Sequence, residues 1–179
     1  TIALMLAAEK RIDFAVSLAG MIVSGKETLL SQNRLLLPYS GFSQKDTEMY
    51  CKALSDAFDC IVEGLKPADP AGLDLPVAQS STPYMKYFLR LDISQRLDGI
   101  ECPVLALNGT KDVQVDCVRN LDALRAGLPA SGDHLILPFE GLNHLFQHCT
   151  TGMTDEYKEI EETMAVEVIA AIGDWILKR

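Results

Sequence analysis

The chain has 179 residues, of which 48% are hydrophobic and 23% charged, the composition of an ordinary globular domain or of a large piece of a bigger protein. Low-complexity disorder, collagen-like repeats and coiled coil are excluded by those figures. Sixteen Lys and Arg against 25 Asp and Glu give a net charge of −9 with no basic stripe, so nucleic acid is not an expected partner.

Taken in chain order, Thr1–Lys10 reads as helix, with Ile2, Leu6 and Glu9 at helical spacing. No basic segment precedes its apolar residues, so no signal peptide is expected. So abrupt a helical start is read either as a processed terminus or as the interior of a domain whose first half lies upstream. Ile12–Leu18 is a short apolar run that suits a buried strand. The wider apolar stretch Phe14–Val23 is half the length of a bilayer-spanning helix, and no membrane partner is expected.

A helical insertion of roughly eighty residues follows, far longer than a normal crossover. Glu27–Leu37 places Leu29, Leu30, Leu36 and Leu37 on one face before Pro38. Gln44–Leu65 opens with Ser43 and Asp46, close to a capping box, and continues through Met49, Ala53, Ala57 and Ile61. Pro67–Pro83 reads as loop, and Tyr84–Leu91 as an amphipathic stretch that packs a lid rather than meeting a membrane or an acyl chain. Such an insertion on a parallel sheet is the usual form of a lid.

The remainder alternates. Pro103–Asn108 and His134–Phe139 are strand-like, the helical pattern of Asp116–Gly127 puts Leu121, Leu124 and Leu128 on one stripe, and Asp116 is the expected N-cap. Glu156–Lys178 repeats Ile160, Met164, Val168, Ile172 and Ile176 every four residues, with Thr154 as the expected cap. Near-continuous apolar strands alternating with helices predict an α/β fold of about three parallel strands, covered on both faces. The expected division is a core from 1–20 and 98–179 and a cap from 21–97.

Chemistry is expected in the two loops that leave the later strands, since α/β sheets place ligands at the strands' carboxyl ends. One is Asn108-Gly-Thr-Lys-Asp112, the other Glu140-Gly-Leu-Asn-His144. An Asp at one strand end followed by a His at the next is the acid-then-base order of a hydrolase triad. The runs PVLALNGTKDVQV and GLNHLFQ, the terminal DWILKR and the early IDFAVSLAGMIVSG together resemble the C-terminal half of α/β-hydrolase-fold serine hydrolases, of the bacterial esterase and serine-aminopeptidase-like branch. That resemblance covers nearly the whole chain. It implies the C-terminal part of an α/β-hydrolase fold with a helical cap, Asp112 as triad acid, His144 as triad base, and a small-molecule acyl substrate. No cofactor or metal is implied.

The pattern departs from the family in one respect. No Gly-x-Ser-x-Gly occurs, and Ser43 in Gly-Phe-Ser-Gln-Lys lacks both the second glycine and the strand before it. The nucleophile and its oxyanion donors are therefore expected upstream, and this chain by itself is expected to be nearly inert. Asp112 has a plainer reading as a turn cap, and His144 as a surface histidine. His148, four residues past His144, would share a helical face with it, but without an HExxH pattern zinc is not expected. His134 reads as structural.

Thr1 could act as an N-terminal nucleophile, yet a helix follows it where that mechanism uses a strand. Cys51, Cys60, Cys102, Cys117 and Cys149 form no CxxC, and their odd number fits a reducing compartment, with the cytoplasm as the default location. The competing class is a non-catalytic α/β module, and in either case an exposed sheet edge is expected to pair copies into a homo-oligomer.

Overall fold

In the computed structural model the described residues are 1–65 and 82–179. The loop expected over Pro67–Pro83 lies outside them up to position 81. The chain divides into two compact units, one of Thr1–Val23 with Ile93–Arg179 and the other of Ser24–Asp92.

The first unit is built on a parallel three-stranded sheet in the order β1-β2-β3, with β1 at Ala15–Leu18, β2 at Val104–Gly109 and β3 at His134–Phe139. Ala15 registers with Val104, and Val104 in turn with His134. Every residue of β2 is buried, as a central strand covered on both faces requires. Leu105 and Leu107 pack against Phe146, Val168 and Trp175, which places helix α6 (Val166–Ile176) over one face. Helix α1 (Ile2–Ala8), helix α5 (Cys117–Gly127) and a 3₁₀ turn at Ser94–Gly99 pack together and reach the sheet through β1, β2 and β3.

Complete coverage does not extend to the edge strands. Leu135 is 40% exposed and Leu18 is 42% exposed, although both lie in runs whose composition predicts burial. Each outer strand has one strand neighbour among the described residues, so its side chains keep solvent access that β2 loses.

Helix α5 starts where the sequence predicts. Asp116 accepts from the Arg119 N–H at 2.9 Å, and Leu121 and Leu124 are buried beneath it. Its buried Asn120 joins two segments. The Oδ1 accepts from the Ile22 N–H at 2.7 Å and from the Val23 N–H at 3.3 Å, while the amide donates to the Asp116 carbonyl at 2.8 Å.

The terminal helix is shorter than its periodicity implies. Residues 157–159 form a 3₁₀ turn, and α6 begins only at Val166 with Ala165, not Thr154, at its N-cap. Tertiary partners take the groups that an earlier helix would have used. Ala165 N–H donates to the Phe146 carbonyl at 2.8 Å, and the Glu162 carbonyl accepts from Gln147 at 2.7 Å. A strict four-residue repeat also drifts about 40° per step around an α-helix, so the apolar series could not stay on one face.

The second unit holds α2 (Gly25–Tyr39), α3 (Gln44–Glu63) and α4 (Pro83–Arg90) around Leu30, Cys51, Leu54, Phe58, Ile61 and Leu89. Ser43 caps α3, accepting from the Asp46 N–H at 3.1 Å. Two expectations change here. Helix α2 runs through Pro38 to Tyr39, because a missing N–H in the last turn removes one bond without ending the helix. The buried face of α3 is Thr47, Cys51, Leu54, Phe58 and Ile61, whereas Met49 is exposed, which is the same drift of a four-residue repeat. Leu36 is likewise exposed while Leu30 is buried. Gly25 is fixed by space: an added Cβ would lie 2.2 Å from the Phe88 carbonyl oxygen.

Removing the Asn120 side chain leaves the buried Ile22 N–H without an acceptor. Asn120→Ala is expected to lower stability by about 2 kcal/mol, read from the urea midpoint at unchanged slope.

Candidate active site

Parallel registration brings the carboxyl ends of β2 and β3 side by side, and the two expected loops leave from there. Gly109 ends β2 against the second loop. A Cβ on it would sit 2.2 Å from the Leu142 carbonyl oxygen and 2.7 Å from that of Asn143, so only glycine permits the approach. The contact is then closed by the Thr110 N–H on the Phe139 carbonyl and the Lys111 N–H on the Leu142 carbonyl, each at 2.9 Å. Thr110 Oγ1 accepts from the Gly141 N–H at 2.9 Å. Gly141 takes a positive φ of 76°, which turns the chain back after β3.

Asp112 and His144 meet across this junction, with His144 Nδ1 2.8 Å from Asp112 Oδ2. Asp112 caps a turn and also meets the imidazole. Its Oδ1 accepts from the N–H groups of Gln114 and Val115 at 2.8 Å each, as a turn cap does, and its Oδ2 remains for the imidazole. The carboxylate is wholly buried, while the His144 side chain is 27% exposed. The imidazole tautomer protonated at Nδ1 matches this contact and leaves Nε2 as the ring's acceptor. An imidazole so held can remove a proton from a nucleophile and return it to a leaving group. His144 also borders an open hollow of about 520 Å³, lined by Leu18, Leu145 and Phe146 and by residues 160–164.

The residue before the histidine shapes its loop. Asn143 is completely buried, and its Oδ1 accepts from Leu145 N–H at 2.9 Å and Gln147 N–H at 3.0 Å. Its amide donates to Gln147 Oε1 at 3.0 Å, and its own N–H donates to the Gln147 carbonyl. The tight loop holds Phe146 at a φ of 59°, a left-handed conformation uncommon outside glycine.

His148 does not share a helical face with His144, because residues 141–149 are not helical: an antiparallel bridge to Leu142 holds His148 instead. Its Nδ1 faces Glu162 at 3.0 Å and its Nε2 faces Glu167 at 3.1 Å. Among the described residues no His, Cys, Asp and Glu are grouped so as to hold a metal ion, and no helix there is long and apolar enough to cross a membrane.

His134 opens β3, and burial lowers its pKa below the usual imidazole range. Burial, with Asp112 and Asp116 adding to it, pushes the Cys117 thiol up to about 11, so this cysteine near the site is protonated at neutral pH. Thr1 donates its hydroxyl to the Met21 carbonyl at 3.1 Å, and Ser43 serves as a helix cap.

A second layer of residues around the loops was not foreseen. Glu156 accepts from the N–H groups of Thr150, Thr151 and Gly152 and from the Thr151 hydroxyl, at 2.6 to 3.0 Å. Lys111 Nζ donates to the carbonyls of Cys149 and Thr150. The Gln114 amide donates to the Tyr157 hydroxyl at 3.0 Å. Most of these partners are backbone groups, which leave no mark in a sequence.

Comparisons with protein-family models, with curated proteins and with solved structures gave no match.

The cradle around Glu156 has a pH signature. Backbone N–H groups, that of Thr150 foremost, and the Thr151 hydroxyl hold its carboxyl down from 4.5 to about 2. A carboxyl with a depressed folded-state pKa stabilises the fold above its unfolded value and loses that contribution as pH falls through the folded value. Glu156→Gln is therefore expected to lower the unfolding midpoint at neutral pH, with the gap from the parent chain closing between pH 4.5 and about 2. A gap independent of pH would contradict it.

Proposed function

We propose that the chain is the C-terminal portion of an α/β-hydrolase-like serine hydrolase that cleaves carboxylic esters or related acyl substrates. Asp112 is the acid of its triad and His144 the base. The observation that carries this reading is the 2.8 Å contact between a buried carboxylate and a partly exposed imidazole, at adjacent carboxyl ends of parallel strands. His144 Nε2 takes the proton of an attacking hydroxyl and later delivers it to the leaving group. Asp112 fixes the tautomer and stabilises the imidazolium formed in between.

The attacking serine and the oxyanion donors are assigned to sequence outside these 179 residues, since no Gly-x-Ser-x-Gly lies within them. The 179-residue chain is expected to hydrolyse short-chain p-nitrophenyl esters at the background rate. A polypeptide extended through the preceding reading frame is expected to be active, and His144→Ala or Asp112→Asn in it to cut turnover by roughly 10⁴-fold or more. Activity of the short chain that His144→Ala abolishes would overturn the assignment of the nucleophile. An extended polypeptide inert toward esters, thioesters and amides alike would end the hydrolase reading.

The free side of β1 favours a second reading, a module that self-associates. The Ala15 N–H donates to the Pro103 carbonyl just before β2 and the Ala19 N–H to the Leu107 carbonyl within it, so the N–H groups of Val16 and Leu18 point away from β2, and among the described residues no strand covers them. Light scattering is then expected to give a mass that rises with concentration toward a dimer. A monomer throughout the range would remove this reading.

A further inference from the structure

The contact between Asp112 and His144 joins two loops from different strands, and Gly109 secures them only on the side nearest the sheet. On the far side the segment that continues the His144 loop reaches the Asp112 loop through Tyr157, whose hydroxyl accepts from Gln114. We propose that Tyr157 is a positioning residue for His144: its hydroxyl, carried on the segment that continues the His144 loop, accepts from the Gln114 amide, braces the Asp112 loop against that segment and so holds the carboxylate on the imidazole.

Gln114 has two roles in this arrangement. Its backbone N–H donates to Asp112 Oδ1 at 2.8 Å, and its side-chain amide donates to the Tyr157 oxygen at 3.0 Å. Asp112 lies close enough to act on that oxygen through its charge.

Tyr157 is itself anchored to the first loop. The neighbouring Glu156 gathers the N–H groups of Thr150, Thr151 and Gly152. Gly152, at a φ of 80°, lies so close to the Lys111 carbonyl that an added Cβ would be 2.0 Å from its oxygen. The segment thus touches the Asp112 loop at Lys111 and again at Gln114. Burial, with the charge of Asp112 adding to it, raises the phenol above its ordinary pKa, so Tyr157 stays neutral beside the carboxylate. Only the description of His144 as a base rests on the proposed hydrolase function; the positioning is a matter of geometry.

The test is Tyr157→Phe in the 179-residue chain, which keeps the ring and removes the oxygen. Nitrogen-detected NMR of the three histidines, assigned with His144→Ala, reads the tautomer of His144 and the exchange of its Nδ1 proton with water. Asp112→Asn serves as the benchmark for a lost contact. Tyr157→Phe is expected to keep the folded spectrum, to reduce the Nδ1–H tautomer and to speed exchange of that proton roughly tenfold. Gln114→Leu is expected to act in the same direction, and the double variant to exceed either single one little, since both remove one shared contact.

A His144 tautomer and exchange rate unchanged in Tyr157→Phe would overturn the proposal. If that variant does not fold, Gln114→Leu alone gives the reading, and no change there overturns it. A shift in Tyr157→Phe supports the positioning even if the extended polypeptide hydrolyses nothing. Full hydrolase activity with no such shift removes the positioning and leaves the proposed function intact.

Discussion

Parallel registration of β2 with β3 is the constraint on which the rest of the site depends. It sets two loop exits side by side, and Gly109 then lets their backbones close to a separation that no side chain would tolerate. The central position of β2 makes that registration firm. Leu105 and Leu107 pack with Phe146, Val168 and Trp175 on one face, and a slip by one position would put their smaller neighbours there instead. The 2.8 Å meeting of Asp112 and His144 is a consequence of strand pairing before it is a feature of either side chain.

Around that junction, polar groups are used to fix backbone far more than to pair charges. Asp112 spends one oxygen on two N–H groups and keeps the other for the imidazole. Asn143 folds the histidine loop around its own amide, and Glu156 does the same for the turn that carries Tyr157. With these donors the buried Asp112 side chain is held in one orientation, its second oxygen toward the His144 ring. The same economy explains why α6 starts late. The segment before it is bonded to the histidine loop through Gln147 and Phe146, and those bonds replace a further turn of helix.

The edges of the sheet are a second consequence of strand order. Leu18 and Leu135 have the apolar character of interior strand residues but lie on the outer strands, where about two fifths of each remains exposed. Composition alone does not tell an edge from a centre, since both draw on the same apolar residues. The self-association reading and the uneven burial of the sheet therefore have one origin.

The amino-acid sequence by itself determined the α/β alternation, three strands close to their observed limits, the cap of α5 at Asp116 and the placing of an aspartate and a histidine at neighbouring strand ends. Each of these depends on local pattern or on chain order, such as β-rich apolar runs, a capping residue, or a glycine followed by a titratable group. Tertiary structure alone decided the late start of α6, the buried face of α3, the partners of His148 and the cradle around Tyr157. Those features rest on backbone groups meeting side chains from distant segments, and every residue carries the same N–H and C=O whatever its side chain, so no pattern of residue types could announce them.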